Sequence, residues 1–215
     1  FGHKKSYRAE GLRARLDESP ERDIDIVTAD KVVNSGERVA VKNTATGQSQ
    51  TIITVDNTAT AGGDGSAEKP FDTLAAAQVA AGEHAIIYVR KGDGTSTKQD
   101  QGIVLDKTGQ LLIGSGVDFV FDASGFTTEN GLAPKSILLA AATSAPVITN
   151  INVNGDGISV SANDVVVTGV SVDGASRDGI VVSAAGANST AENVTIKNVT
   201  TTNNRFGIYA HGENG

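Results

Sequence analysis

Val147-Ile148-Thr149-Asn150-Ile151-Asn152-Val153, leading to Gly157-Ile158, opens a pattern that is written three times in the last third of the chain. It returns as Val166-Val167-Thr168-Gly169-Val170-Ser171-Val172 leading to Gly179-Ile180, and again as Thr195-Ile196-Lys197-Asn198-Val199-Thr200 leading to Gly207-Ile208. The closing glycines, at positions 157, 179 and 207, stand 22 and then 28 residues apart, inside the period of roughly 20–50 residues that marks stacked repeats. Within each copy β-branched residues alternate with Thr, Asn, Ser or Lys. That is the period-2 signature of a strand with one face buried and the other in solvent. The segments between strands, such as Asn154-Gly155-Asp156-Gly157 and Asn203-Asn204-Arg205-Phe206-Gly207, are rich in residues that tolerate the positive φ of a sharp corner. Equivalent strands that recur in the same phase run parallel, and no long helical segment separates them as a βαβ crossover requires. The fold expected is all-β: a right-handed parallel β-helix, a solenoid in which Ile151, Val170 and Val199 stack in register.

Upstream of the repeat, Asp72 or Thr73 is expected to cap a helix over 74–81 that ends at Gly82 and presents Leu74, Ala77 and Val79. A solenoid needs its first coil covered, and this helix would do so. Ala85-Ile86-Ile87-Tyr88-Val89 reads as the first strand of the coil, with 102–105, 110–116 and 117–122 as further strands. Residues 91–101 and 126–135 are polar excursions, and 136–140 re-enter the core. Before the helix, 61–70 is a loop punctuated by Gly, Asp and Pro. The strands 38–41 and 51–55 read as a hairpin connector. In Gly11-Leu12-Arg13-Ala14-Arg15-Leu16 and Arg22-Asp23-Ile24-Asp25-Ile26-Val27 apolar and ionic residues alternate, as they do in an outer-membrane barrel strand and in soluble hairpins alike. The organisation expected is therefore 1–28 as the end of a barrel or a linker, 29–60 as connector strands and 61–215 as the β-helix.

Composition narrows the function. The formal net charge of −7 argues against a phosphate-binding surface, since nucleic-acid affinity rests on clusters of Lys and Arg. Aromatic residues make up only 4% while there are 25 glycines, which suits thin stacked coils better than a sandwich built on large rings. The absence of Cys excludes disulfide and thiolate chemistry. No apolar run approaches the ~20 residues of a spanning helix. With Phe1 in place of an initiator Met and a corner sequence at its close, the chain reads as a piece of something longer.

The chemistry on offer is sparse. A hydrolase needs carboxylates across a cleft with one raised in pKa to act as acid, and Asp156, Asp173 and Asp178 fall in successive corners. Each also sits beside Gly, where Asp commonly serves the backbone of a turn. A lyase needs a base, and Arg177 and Arg205 precede the closing glycines, with Lys197 between them; all three read as solvated charges a whole coil apart. Asp64 in Gly62-Gly63-Asp64-Gly65 reads as a turn residue rather than a calcium ligand. Asn152, Asn154, Asn193, Asn198, Asn203 and Asn204 are expected to form partial side-chain ladders. No cofactor and no metal site is expected, and no phosphate loop, zinc spacing or nucleophile elbow is present.

Residues 63–95, GDGSAEKPFDTLAAAQVAAGEHAIIYVRKGDGT, and 102–116, GIVLDKTGQLLIGSG, resemble the opening of pectate-lyase-like β-helix domains, where a capping helix precedes the first coil. Residues 19–28, SPERDIDIVT, and 38–48, RVAVKNTATGQ, resemble the last barrel strand and linker of inverse autotransporters of the intimin and invasin type. His211-Gly212 is similar to a short polygalacturonase motif, without that family's adjoining carboxylates. These resemblances imply a bacterial outer-membrane anchor with an adhesin-like rod exposed on the cell surface, whose partners are host or environmental glycans or surface proteins. The alternative is a polysaccharide-binding or polysaccharide-degrading domain, a lyase or glycoside hydrolase.

Overall fold

Sixteen short strands and one helix follow one another in the computed structural model, which describes residues 42–43, 50–122, 126–127, 137–184 and 191–212, all within the compact unit Val39–Gly215. The strands are β1 (Lys42–Asn43), β2 (Ile52–Val55), β3 (Ile86–Val89), β4 (Ile103–Leu105), β5 (Leu111–Gly114), β6 (Phe119–Phe121), β7 (Phe126–Thr127) and β8 (Ile137–Ala140). They continue as β9 (Val147–Ile148), β10 (Ile158–Val160), β11 (Val166–Thr168), β12 (Ser171–Asp173), β13 (Ile180–Ser183), β14 (Thr195–Lys197), β15 (Thr200–Thr202) and β16 (Ile208–His211). Helix α1 is Leu74–Ala80 and lies between β2 and β3. The alternating charged segment 1–28 and the strand expected at 38–41 lie outside the described residues.

The protein is all-β apart from α1, and its main sheets are parallel. The first has the order β14-β11-β5-β3-β2, the second β15-β12-β9 and the third β16-β13-β10-β4. Registers align like with like. Ile53, Ile87, Leu112, Val167 and Ile196 share one position across the first sheet. Ile103, Ile158, Ile180 and Ile208 share one across the third. The chain visits first, second and third sheet in turn, as β11, β12, β13 and then β14, β15, β16. Strands β5, β9 and β10 pair with β11, β12 and β13 as the triplet before them. Their inward side chains join one apolar cluster, in which Ile87, Leu112, Ile148, Ile158, Val167, Val172 and Ile180 are fully buried.

The repeat is framed differently from the sequence expectation. Val147 pairs with Ser171 and Ile148 with Val172, so the first copy begins at Leu111 and is interrupted by residues 115–146 before it resumes at β9. Val170 is fully buried and Val199 packs on the same cluster, but Ile151 is 62% exposed. The column filled by Ile151 in the expected register is filled by Ile148. Ile151 instead lies in a longer corner with Val153, which is also exposed.

The corners have two kinds of glycine. Gly169 (φ 70°) and its successor Asn198 (φ 51°) turn the chain out of the first sheet in the left-handed region, which only Gly and, less readily, Asn and Asp enter without strain. Asn154, Asn193 and Asn203 also take positive φ. Their amides do not ladder with one another as expected: Asn193 and Asn203 donate to Asp164 and Asp173. Gly179 has no such φ; a Cβ there would stand 2.5 Å from the Gly207 carbonyl oxygen. The closing glycines are required because successive backbones approach closely.

The segment 115–146 makes a flap. Strands β6 and β8 pair antiparallel, and Phe119 and Phe121 pack on Ile86, Tyr88 and Ile113, outward residues of the first sheet. The Tyr88 and Phe119 rings stack at 4.8 Å. The outer face of β3 and β5, expected in solvent, is covered. Residues 136–140, expected to re-enter the core, instead form the flap's second strand, with Leu138 and Leu139 exposed. Strands β1 and β7 form a further antiparallel pair.

At the other end, the Thr73 hydroxyl caps α1 by accepting from the Ala76 N–H at 3.2 Å. Leu74 and Ala77 are buried, and Gln78 accepts from the Val104 N–H at 2.7 Å. Val79 is 89% exposed, because a residue five positions after Leu74 lies on the opposite side of a helix. Residues 51–55, expected in a hairpin connector, supply β2, parallel to β3 and largely buried.

Candidate functional site

Each closing glycine is preceded by two residues that occupy equivalent places: Gly155-Asp156, Arg177-Asp178 and Arg205-Phe206. The backbone stacks them directly, since the Arg177 N–H donates to the Gly155 carbonyl at 3.0 Å and the Arg205 N–H to the Arg177 carbonyl at 2.7 Å. An Arg side chain rising from one level therefore meets the Asp of the level before. Arg177 donates through Nε to Asp156 Oδ1 at 2.7 Å and through Nη2 to Oδ2. Arg205 donates through Nε and Nη2 to the two oxygens of Asp178 at 2.9 and 2.7 Å. The N–H groups of Asp178 and Phe206 each add a bond of 3.2 Å to the same carboxylates.

Sequence reasoning named Asp156, Arg177, Asp178 and Arg205, and the structure brings these four together. It does not leave the arginines solvated and unconnected as expected: each forms a planar two-point clamp on a buried carboxylate. The Arg205 guanidinium beside Asp178 holds its carboxyl below the usual carboxylate range, and the same pairing raises Arg205. The hydrogen bond to Asp156 raises Arg177 in the same way. A general acid needs the opposite shift in the carboxylate and a base the opposite shift in the arginine.

Asp173 lies in a different corner and accepts from the Thr202 hydroxyl and the Asn203 amide, both at 2.7 Å, which lower its pKa. Lys197 is exposed on β14. Asp64 makes the expected turn, accepting from the Ser66 N–H at 2.9 Å. Among the described residues no group of three or more His, Asp or Glu could hold a metal ion, and no helix is long and apolar enough to cross a membrane. An open depression of about 420 Å³, lined by Asp56, Thr60, Gly62, Glu68, Lys69 and Pro70, belongs to the loop after β2 and shares no residue with the Asp–Arg seam.

A feature missed in the sequence lies beside the seam. Arg205 sits over the Phe206 ring at 5.2 Å, Phe206 stacks on Tyr209 at 5.5 Å, and Tyr209 meets His211 at 5.4 Å. This exposed row of rings arises because Tyr209 and His211 share the outward face of β16; their i, i+2 spacing was the available signal. No protein-family model, characterised protein or solved structure matches this chain.

Proposed function

We propose that the chain is a right-handed parallel β-helix, a solenoid capped by α1, that serves as an adhesin-like structural or binding rod on the bacterial cell surface, anchored in the outer membrane. The observation that carries the reading is the seam: its carboxylates and guanidinium groups bind one another from level to level and hold no shifted acid or base. The cyclic visit to three parallel sheets, with Ile over Ile and Val over Val, supports the solenoid. The strong preference of parallel crossovers for one hand gives its direction. The resemblance of residues 19–28 and 38–48 to a barrel strand and linker supports the anchor.

The purified chain tests this directly by small-angle scattering together with incubation on polygalacturonate. An elongated particle that releases no unsaturated ends is expected. Release of unsaturated products, abolished in Arg177→Lys, would overturn the rod in favour of a lyase. A polysaccharide-binding reading is favoured by the ring row Phe206, Tyr209 and His211, since flat exposed rings accept the apolar faces of sugars. Retention on a glycan column that is lost in Tyr209→Ala would support it.

A further inference from the structure

The last triplet, β14, β15 and β16, is held to the one before it in an unusual way. Its own apolar burial is thin: β16 is exposed throughout, and β14 and β15 alternate between exposed and half-buried residues. In contrast, Val167, Val172 and Ile180 beneath it are fully buried. The side-chain links that join the two triplets gather on three carboxylates, one at each corner. Asp164 accepts from Asn193 Nδ2 at 3.0 Å, Asp173 from Thr202 and Asn203, and Asp178 from Arg205. Asn204 adds a neutral link by accepting from the Ala175 N–H at 2.8 Å.

We propose that Asp164, Asp173 and Asp178 form an acid-released clasp, such that their protonation detaches β14, β15 and β16 from β11, β12 and β13 while the earlier strands stay paired. Below this level the apolar column supplies the cohesion, so loss of carboxylate charge has less to undo there. The charged groups facing Asp178 are Arg205 and, at 4.0 Å, Arg177, which also binds Asp156. Asp173 faces a hydroxyl and an amide; Asp164 faces the Asn193 amide, with Glu192 next to it in the chain. Lys197 and His211 are the remaining charged or titratable groups described on the three strands, and His211 titrates near pH 6.5, well above the carboxylates. Asp173 and Asp178 have lowered folded pKa values. Their contribution is therefore complete above the unfolded value of about 4 and disappears as pH falls through the lower folded values.

Amide hydrogen exchange on the intact chain, corrected for intrinsic rates, tests the clasp between pH 7 and about 2.5. Amides of Thr195, Thr200 and Ile180, which donate into or across this junction, should lose at least about tenfold more protection than those of Leu111 and Ile103. In Asp164→Asn/Asp173→Asn/Asp178→Asn, protection of the last triplet should already be low at neutral pH and flat below it. Arg205→Met should move the release upward in pH, because Asp178 then lacks the cation that lowers it. Protection of the last triplet that persists to pH 2.5, or is lost in one step with β3 and β5, overturns the proposal. So does an unshifted midpoint in Arg205→Met, or an acid transition retained in the triple variant.

Discussion

Asp156 is buried against Arg177, and a buried carboxylate is tolerated when its charge is compensated by close, well-oriented donors. Arg177→Ala leaves that carboxylate with the Asp178 N–H alone from the bonds described above. A loss of about 2–4 kcal/mol is expected in urea unfolding, below the full value for a broken buried pair because the guanidinium is partly exposed and screened. Arg177→Lys should recover only part of it, since an ammonium group lacks the planar fork. A loss under about 0.5 kcal/mol for the alanine variant would mean that water already solvates Asp156. A second residue tests the opposite case: Gln99 is almost wholly buried, with neither amide atom hydrogen-bonded. Gln99→Met should raise stability by about 1–2 kcal/mol, and no gain would imply a bound water. The acidic and basic members of the seam were legible in the sequence; their pairing was not. Arg177 reaches an Asp 21 positions earlier, and alternation along one strand does not reveal which corner side chain turns back onto the previous level. The repeated glycine was equally visible, yet its cause at Gly179 is close stacking rather than an unusual φ.

Among the elements, the flap formed by β6 and β8 changes the environment of a whole sheet face. Phe119→Ala removes the ring that stacks on Tyr88 and should cost about 3–4 kcal/mol. Burial raises the pKa of Tyr88, so the same variant should bring its ultraviolet ionisation back towards the ordinary value near 10. An unchanged Tyr88 titration would show that the ring is buried without Phe119. The unbroken run Ile86-Ile87-Tyr88-Val89 was the available sign of two-sided burial, because a strand with one wet face alternates. Helix α1 was legible from its cap and its alanines, but Val79 was put on the wrong face. The displaced Ile151 has a related cause. Val147-Ile148 matches either strand of the later copies, and a period of two fits both registers equally well. The flap hid the choice by separating β5 from β9.

Across the molecule, the column Ile103, Ile158, Ile180 and Ile208 carries one residue type through four successive strands and so permits a comparison at constant chemistry. Local propensity is the same at each position, and the difference between them is what lies on either side. Ile158 and Ile180 are fully buried between neighbouring strands, whereas Ile208, on the edge strand, is 52% exposed. Removing a side chain from a packed column forfeits its transfer energy and leaves a cavity, while removal at an open edge does neither in full. Ile158→Ala and Ile180→Ala should each cost about 2–4 kcal/mol in equilibrium unfolding, and Ile208→Ala less than about 1 kcal/mol. If the parallel triplets form one cooperative column, the two interior variants will also shift every probe together. Edge loss at Ile208 should instead appear as faster exchange confined to β14, β15 and β16. Equal costs at Ile158 and Ile208 would show that the last level is as firmly packed as the interior, and would remove the gradient of burial on which the acid-released clasp depends.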